Sequence, residues 1–488
     1  MTTPTSPRPD AHDLIALPGV RQWARRIAED LVVGRTCLLM LPTGAAAHAE
    51  DLLHAVLGDR THWQRIPPPD KLPEPAADEP EDDPGPQWSG QPPILDLGDT
   101  FLTDLMTAAF GTDAVLTPLS PRSRPPSTTL DRVKGIEARL DSLLPARVPG
   151  SDPTIDDVYR RLTVDHADGC IYVLNATEED DPDALARLLM RLPSSVKAAG
   201  LAPEQRPRLL VAATTDRLPA TTPDQLARGD VAVHWWWGAL GRLDTASVTA
   251  VNRPLLSRAA ASYGPTGRTH IAEAVTQASI VEVCGPHLVL AATLATLWDG
   301  RPESLRITLA TACGSHPTAP TPQPPTAHRT GALAHQPPDA LRAQWNTGTI
   351  DAWDGHLRHH PATLCTVENG TELDKLLWVA HSRTLLPLID DAREALAAQV
   401  LPTATVSDEQ LLRLYGPDLA TTRNASTFDR LHAMEIGQLL SAKTNGHLRF
   451  TTQQSAALYT LRNARNLLSH RQYLPSTTLD LLLTKLSP

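Results

Sequence analysis

Apolar and polar positions follow two rhythms over roughly the first three hundred residues. Short unbroken apolar runs read as strands buried on both faces: "TCLLMLP" (Thr36 to Pro42), "GCIYVLNA" (Gly169 to Ala176), "PRLLVAATT" (Pro207 to Thr215) and "DVAVHWWWG" (Asp230 to Gly238). Helical patterns lie between them, "AAHAEDLLHAVLG" after the first and "DALARLLMRLPSSVKAAG" after the second. Strands of this length alternating with helices predict parallel βαβ units. "RTHIAEAVTQASIVEV" and "PHLVLAATLATLWDG" then read as two helices of a lid over about 268–300. Beyond 338 the pattern reads as helical throughout. "LDKLLWVAHSRTLLPLIDDAREALAAQV" should kink at Pro387, and Ser407 should cap "SDEQLLRLYG". "TFDRLHAMEIGQLLSA", "QQSAALYTLRNARNLLSHRQ" and "STTLDLLLTKL" complete a bundle. The expected fold is α/β, a parallel sheet with a helical lid, plus a C-terminal all-α bundle.

Proline punctuates this pattern. Residues 67–93 combine proline with acidic side chains and 117–128 form a shorter proline-rich stretch, so both read as disordered insertions. Residues 313–338 form a proline-rich linker. The expected division is a flexible N-terminus at 1–18, an α/β region at 19–312, the linker, and a helical region at 339–488 whose bundle spans about 372–488.

Composition narrows the classes. The 488 residues exceed one hydrophobic core, and 41% hydrophobic with 20% charged residues suits a globular protein. Cys37, Cys170, Cys284, Cys313 and Cys365 are widely spaced without a C-x-x-C pair, which favours free, mostly buried thiols over disulfides or a zinc knuckle. No apolar run approaches the roughly 20 residues of a membrane span and no leader pattern opens the chain, so a cytoplasmic protein without membrane contact is expected. Trp235, Trp236 and Trp237 read as core residues before they read as a stacking surface. "HLRHH" (His356 to His360) reads as a solvated turn, because no Cys or carboxylate stands in register to complete a metal site.

The layout of residues 20–300 resembles a P-loop NTPase of the AAA+ or STAND kind, with its chemistry missing. After the first strand comes "LPTGAAAHAE", which keeps Gly44 but has no Lys for the β/γ-phosphates and no Ser or Thr to follow it onto magnesium. After "CIYVL", where that resemblance implies a metal-binding carboxylate, stands Asn175; Glu178, Glu179 and Asp180 come slightly later. Gly44, Asn175 and Glu178 thus mark a degenerate nucleotide site.

The formal charge of -11 argues against a surface that binds nucleic acid everywhere. One stretch departs from the average: Ile436 to Leu479 contains no acidic residue and carries Lys443, Arg449, Arg462, Arg465 and Arg471, with His447 and His470. Within it "RNLLSH" gives R-N-x-x-x-H. On a helix of about 100° per residue, Arg465, Ser469, Arg462, Asn466 and His470 fall on one side, opposite Ala457, Leu461, Ala464, Leu467 and Leu468. Pro475 ends the helix soon after His470. An imidazole that titrates near neutrality and a guanidinium suit metal-free cleavage of RNA by its own 2′-hydroxyl. One chain supplies one His and one Arg of this string, so two copies would complete a centre.

The segment 372–488 resembles the HEPN superfamily, whose nucleases carry R-x(4–6)-H, often with Asn after the Arg. The resemblance implies Arg465 and His470 as catalytic residues with Asn466 in support, and it implies homodimerisation, RNA as substrate and no metal or other cofactor. It also implies a place in bacterial conflict, as a toxin, or in antiviral defence, with a defence-system partner protein. Arg462, Ser469, Arg471, Lys443 and Arg449 join the centre as candidate RNA contacts. The leading expectation is an endoribonuclease governed by an inactive NTPase-like sensor. The alternatives are a non-catalytic scaffold and an unconventional NTPase using Glu178 or Glu179.

Overall fold

The structure is a computed structural model that describes residues 11–69, 135–145, 154–253, 267–314, 335–365, 370–416 and 426–486. Most of the expected insertion at 67–93, all of that at 117–128 and most of the linker lie outside the described residues. Five parallel strands form one sheet in the order β2-β3-β4-β1-β5: β1 (Thr36–Leu41), β2 (Trp63–Arg65), β3 (Ile171–Asn175), β4 (Arg208–Thr214) and β5 (Val231–Trp235). Four of them are the four apolar runs. The fifth, β2, is a three-residue edge strand with Gln64 and Arg65 exposed, so it has no apolar run to announce it. β1 runs up the interior with Leu39 between Ala212 and His234, and its six residues are all buried.

The chain moves outward from β1 to β2 and then returns through β3 to β4. Right-handed crossovers in opposite directions place their helices on opposite faces. Helix α1 (Pro18–Val32) packs with α2 (Ala49–Leu57), and α3 (Pro182–Ala198) follows β3. Both faces are therefore covered, which explains why these strands are apolar without alternation. The N-terminus differs from the flexible segment expected to residue 18. Ala11–Ala16 is a short helix, and Leu14 and Leu17 are buried in the α/β core. All three tryptophans of the triplet are buried; Trp23 donates its indole N–H to the Trp235 carbonyl at 3.1 Å and meets Trp236 edge-on at 5.0 Å.

Four helices follow: α4 (Arg242–Asn252), α5 (Gly267–Cys284), α6 (Leu288–Leu297) and α7 (Pro302–Cys313). The next segment corrects the expectation of helix throughout. β6 (Ile350–Trp353) and β7 (His356–His359) form an antiparallel hairpin. Its two central residues, Asp354 and Gly355, have φ of 49° and 77°. That is the geometry a twisted two-residue hairpin demands, and Asp-Gly supplies it with least strain. His356–His359 is accordingly a strand and not a solvated turn, and Ile350 and Ala352 opposite it belong to the α/β core.

The C-terminal part is all helix: α8 (Gly370–Val400), α9 (Asp408–Tyr415), α10 (Thr427–His432), α11 (Ile436–Thr444), α12 (Thr452–Ser469) and α13 (Ser476–Leu486). Ser407 caps α9 as expected, accepting the Gln410 N–H at 3.3 Å. The expected single helix over 427–442 is two. Met434 is fully buried between them, and α11 starts afresh where Gln438 accepts the Glu435 backbone N–H at 2.7 Å. Helices α5 to α7 and the C-terminal helices share their cores. Val275 of α5 belongs to the buried cluster that holds Leu385, Leu439 and Leu461, while Leu373 and Leu377 of α8 belong to the one that holds Ile280, Leu294 and Leu305.

One buried carboxylate ties these layers together. Glu282 on α5 is 3% exposed and forms ion pairs with Arg242 at the start of α4 and Arg383 on α8. Its backbone carbonyl accepts from Arg358 of β7. Arg242 also binds Asp354 at 3.0 Å, and Arg242 and Arg358 both stack on Trp353, at 4.5 and 4.9 Å from the ring centre. Arg242 and Arg383 both keep access to water, so losing their shared carboxylate costs about what a partly exposed pair does. Glu282→Ala should lower stability by roughly 1 kcal/mol in denaturant melts, and Glu282→Gln, which keeps an acceptor, by less.

Candidate nucleic-acid interface

Helix α12 is specified at both ends. Thr451 accepts the Gln454 N–H at 3.2 Å while the Gln454 side chain accepts the Thr451 N–H at 2.9 Å, a reciprocal cap. Leu458, Leu461, Ala464 and Leu468 form its buried stripe. At the other end the Arg471 N–H reaches the Leu468 carbonyl at 3.1 Å and the Gln472 N–H reaches Leu467 at 2.9 Å. These two bonds make a Schellman close, whose left-handed position is normally glycine. Here it is Arg471, with φ of 60°.

Two side chains of α8 hold this end in place. Trp378 donates its indole N–H to the Leu468 carbonyl at 2.6 Å, and the Arg471 guanidinium lies 5.8 Å from the same ring. Three residues further on, His381 accepts the Leu474 N–H through Nδ1 at 3.1 Å. His381 is 1% exposed, and burial pushes its pKa down to about 4, so the imidazole is neutral and serves as an acceptor.

The expected site residues divide into two groups. Arg462, Asn466, Ser469 and His470 are exposed on the outer side of α12, and Arg471 follows them, also exposed. Tyr459 and Asn463 extend the same strip, at spacings of eleven and seven residues before His470, and were not recognised from the sequence. Counting back from His470 in helical steps was the signal that would have found them. Arg465 departs from the expected common face. It turns towards α11 and pairs with Glu435 at 2.9 Å, beside a cavity of about 240 Å³ that Leu386, Ile389, Asp390 and Arg393 also line. Among the described residues no hydrogen bond or ion pair links Arg465 to Asn466 or His470. The acid-free run thus acquires a carboxylate partner from just outside its own boundary.

Lys443 on α11 reaches the strip: its ammonium lies 4.6 Å from the Tyr459 ring centre and 3.4 Å from the hydroxyl. Arg449 sits on the connection between α11 and α12, where Thr403 fastens its backbone through two bonds of 2.9 Å and its side chain stays exposed. The strip therefore offers cations, amides, one imidazole and one aromatic ring on a rigid helix. Phosphate, base and ribose groups are the ligands such a set can take.

At the carboxyl ends of the strands, the residues of the degenerate nucleotide site do not assemble a cradle. Thr43–His48 after β1 is a 3₁₀ turn, and a Cβ built on Gly44 would meet nothing within 4 Å. The glycine is required there neither by a left-handed φ nor by a close approach. Asn175 uses its side-chain oxygen on Thr177, at 2.8 Å to the hydroxyl and 3.2 Å to the N–H. Glu178 is exposed, and Glu179 is buried in an ion pair with Arg139. Among the described residues no group of His, Cys, Asp and Glu gathers as a metal ion requires, and no helix is long and apolar enough to cross a membrane.

Comparison of the chain with protein-family models, with curated proteins and with solved structures gives no match.

Two measurements follow from the end of α12. An imidazole whose pKa is near 6.5 when unfolded and about 4 when folded stabilises the protein fully above 6.5 and progressively less as pH falls to 4. His381→Asn, which keeps an acceptor without titrating, should overtake the parent by roughly 3 kcal/mol across that window in urea melts. Arg471→Gly should relieve the left-handed strain and raise stability by up to about 1 kcal/mol at neutral pH.

Proposed function

We propose that the chain is a metal-independent endoribonuclease of the HEPN type, its centre completed by a second copy. The observation that carries this reading is His470, exposed at the end of a polar strip within an acid-free segment. Its ring has no hydrogen bond or ion pair to protein among the described residues, so it is available to a ligand. In the reaction, one His470 takes the proton of a ribose 2′-hydroxyl, whose oxygen attacks the adjacent phosphorus. The 5′-oxygen leaves and takes a proton from the second copy's His470, giving a 2′,3′-cyclic phosphate and a 5′-hydroxyl end. Asn466 orients the imidazole or the phosphate, while Arg462 on the strip, and Arg465 once it exchanges Glu435 for the substrate, neutralise the charge that builds on the phosphate oxygens.

The α/β part is then a P-loop-like body that does not hydrolyse nucleotide. The sheet in which β1 lies between β4 and β5 supports the resemblance, and the 3₁₀ turn at Gly44 supports the loss of chemistry. Glu282 is the route by which a ligand or defence partner bound to that body would bias the bundle, since its carboxylate touches both.

A scaffold reading rests on a different observation. Arg465 is held by Glu435, which is what a structural arginine does. The two readings separate on purified protein in chelator, incubated with tRNA and mRNA. The nuclease should leave cyclic-phosphate ends at a rate that rises with dimer concentration. His470→Ala should slow cleavage by about 100-fold or more, and Arg465→Ala by a similar factor. Cleavage by His470→Ala at the parent rate sinks the nuclease reading. If the parent leaves RNA intact, and Arg465→Ala and Glu435→Ala only shift stability by under about 1 kcal/mol, the scaffold reading stands.

A further inference from the structure

We infer that the outer strip of α12 binds single-stranded RNA, with Tyr459 as the platform on which an unpaired base stacks. This deepens the nuclease reading and rests on it for the choice of RNA. Tyr459 is 50% exposed, an unusual setting for an aromatic ring in a chain where aromatics are 4% of residues. It is nevertheless held in place. The Lys443 ammonium sits over the ring at 4.6 Å and contacts its hydroxyl at 3.4 Å. A fixed, half-exposed ring beside a cation is the arrangement that base stacking uses, because every base has a π-face and every linkage a negative charge.

The neighbours extend the platform into a track. Arg462, Asn463, Asn466 and His470 follow Tyr459 at three, four, seven and eleven residues, and all are exposed. Such spacings keep to one side of a helix. The acidic groups nearest in the chain are engaged elsewhere, Glu435 with Arg465 and Asp480 with Arg268. Eleven residues of helix span roughly 16 Å, so at the ~3.4 Å rise of stacked nucleotides no more than about five nucleotides separate the platform from His470. A duplex buries its base faces in its own stack and offers the ring nothing. Tyr459 therefore selects unpaired RNA and fixes how far from the stacked base the strand is cut.

The test is fluorescence anisotropy with a labelled single-stranded RNA of about eight nucleotides and the same RNA as a duplex, using the full chain. Thermal melts and size-exclusion chromatography accompany it. The parent should prefer the single strand. Tyr459→Ala should bind it roughly 10-fold more weakly at unchanged melting temperature, Tyr459→Trp should restore binding, and duplex binding should not move. Equal affinity of Tyr459→Ala and parent overturns the platform while leaving the nuclease reading intact if the parent still cuts. A preference of the parent for duplex, or a Tyr459→Ala variant altered only in oligomeric state, also overturns it. Tyr459-dependent binding without any cleavage upholds the platform and removes the nuclease. A parent that binds no RNA removes both.

Discussion

The arrangement of the whole chain depends on the burial of the Glu282 carboxylate. A carboxylate removed from water must find cations, and the two that reach it come from different layers: Arg242 from the sheet side and Arg383 from the bundle. Such a pair adds little net stability over an apolar contact of the same shape, but it tolerates few alternative packings. Helix α5 is thereby placed between the α/β body and α8. Its apolar residues join the C-terminal helical core through Val275 and the core shared with α6 and α7 through Ile280 and Val283. The hairpin is drawn into the same junction, because Arg358 donates to the Glu282 carbonyl and both Arg242 and Arg358 lie over the Trp353 ring.

From α8 the constraint passes to the candidate site. Trp378 and His381, three residues apart and so on one side of that helix, grip the end of α12 and the chain that leaves it. The grip allows a Schellman close with arginine in the left-handed position, a conformation that would otherwise favour glycine. Its result is that Leu468 is buried while Ser469, His470 and Arg471, the next three residues, stand in solvent. The strip is therefore exposed and rigid together, which a loop of the same composition would not be.

Much of this was legible in the residues. The four long strands were visible as apolar runs because a parallel sheet covered on both faces needs no polar alternation. Gly267–Cys284, Leu288–Leu297 and most of the C-terminal helices were visible through their spacing, and Ser407 marked its own cap. What escaped includes three full helices, Pro18–Val32, Arg242–Asn252 and Pro302–Cys313, besides shorter elements. β2 is an edge strand of three residues, and the break at Met434 depends on a side chain that is buried by other helices. The hairpin differs, since "AWDGHL" carries the Asp-Gly signal in full and is legible without the tertiary structure.

For the candidate site, the sequence by itself determined which side of α12 is polar, where the helix stops, and that its flank lacks acidic residues. Those are properties of period, proline and composition, which neighbouring chain segments cannot alter. Only the tertiary structure decided which polar groups stand together. Arg465 and His470 share a string of six letters, yet α11 brings Glu435 to the arginine and leaves the histidine exposed. Tyr459, eleven positions before His470, shares its side of α12 by spacing alone, but only Lys443 from another helix meets its ring there. Opposite charges and a cation over a ring act through space at a few ångströms, and which groups come that close is settled by how helices pack.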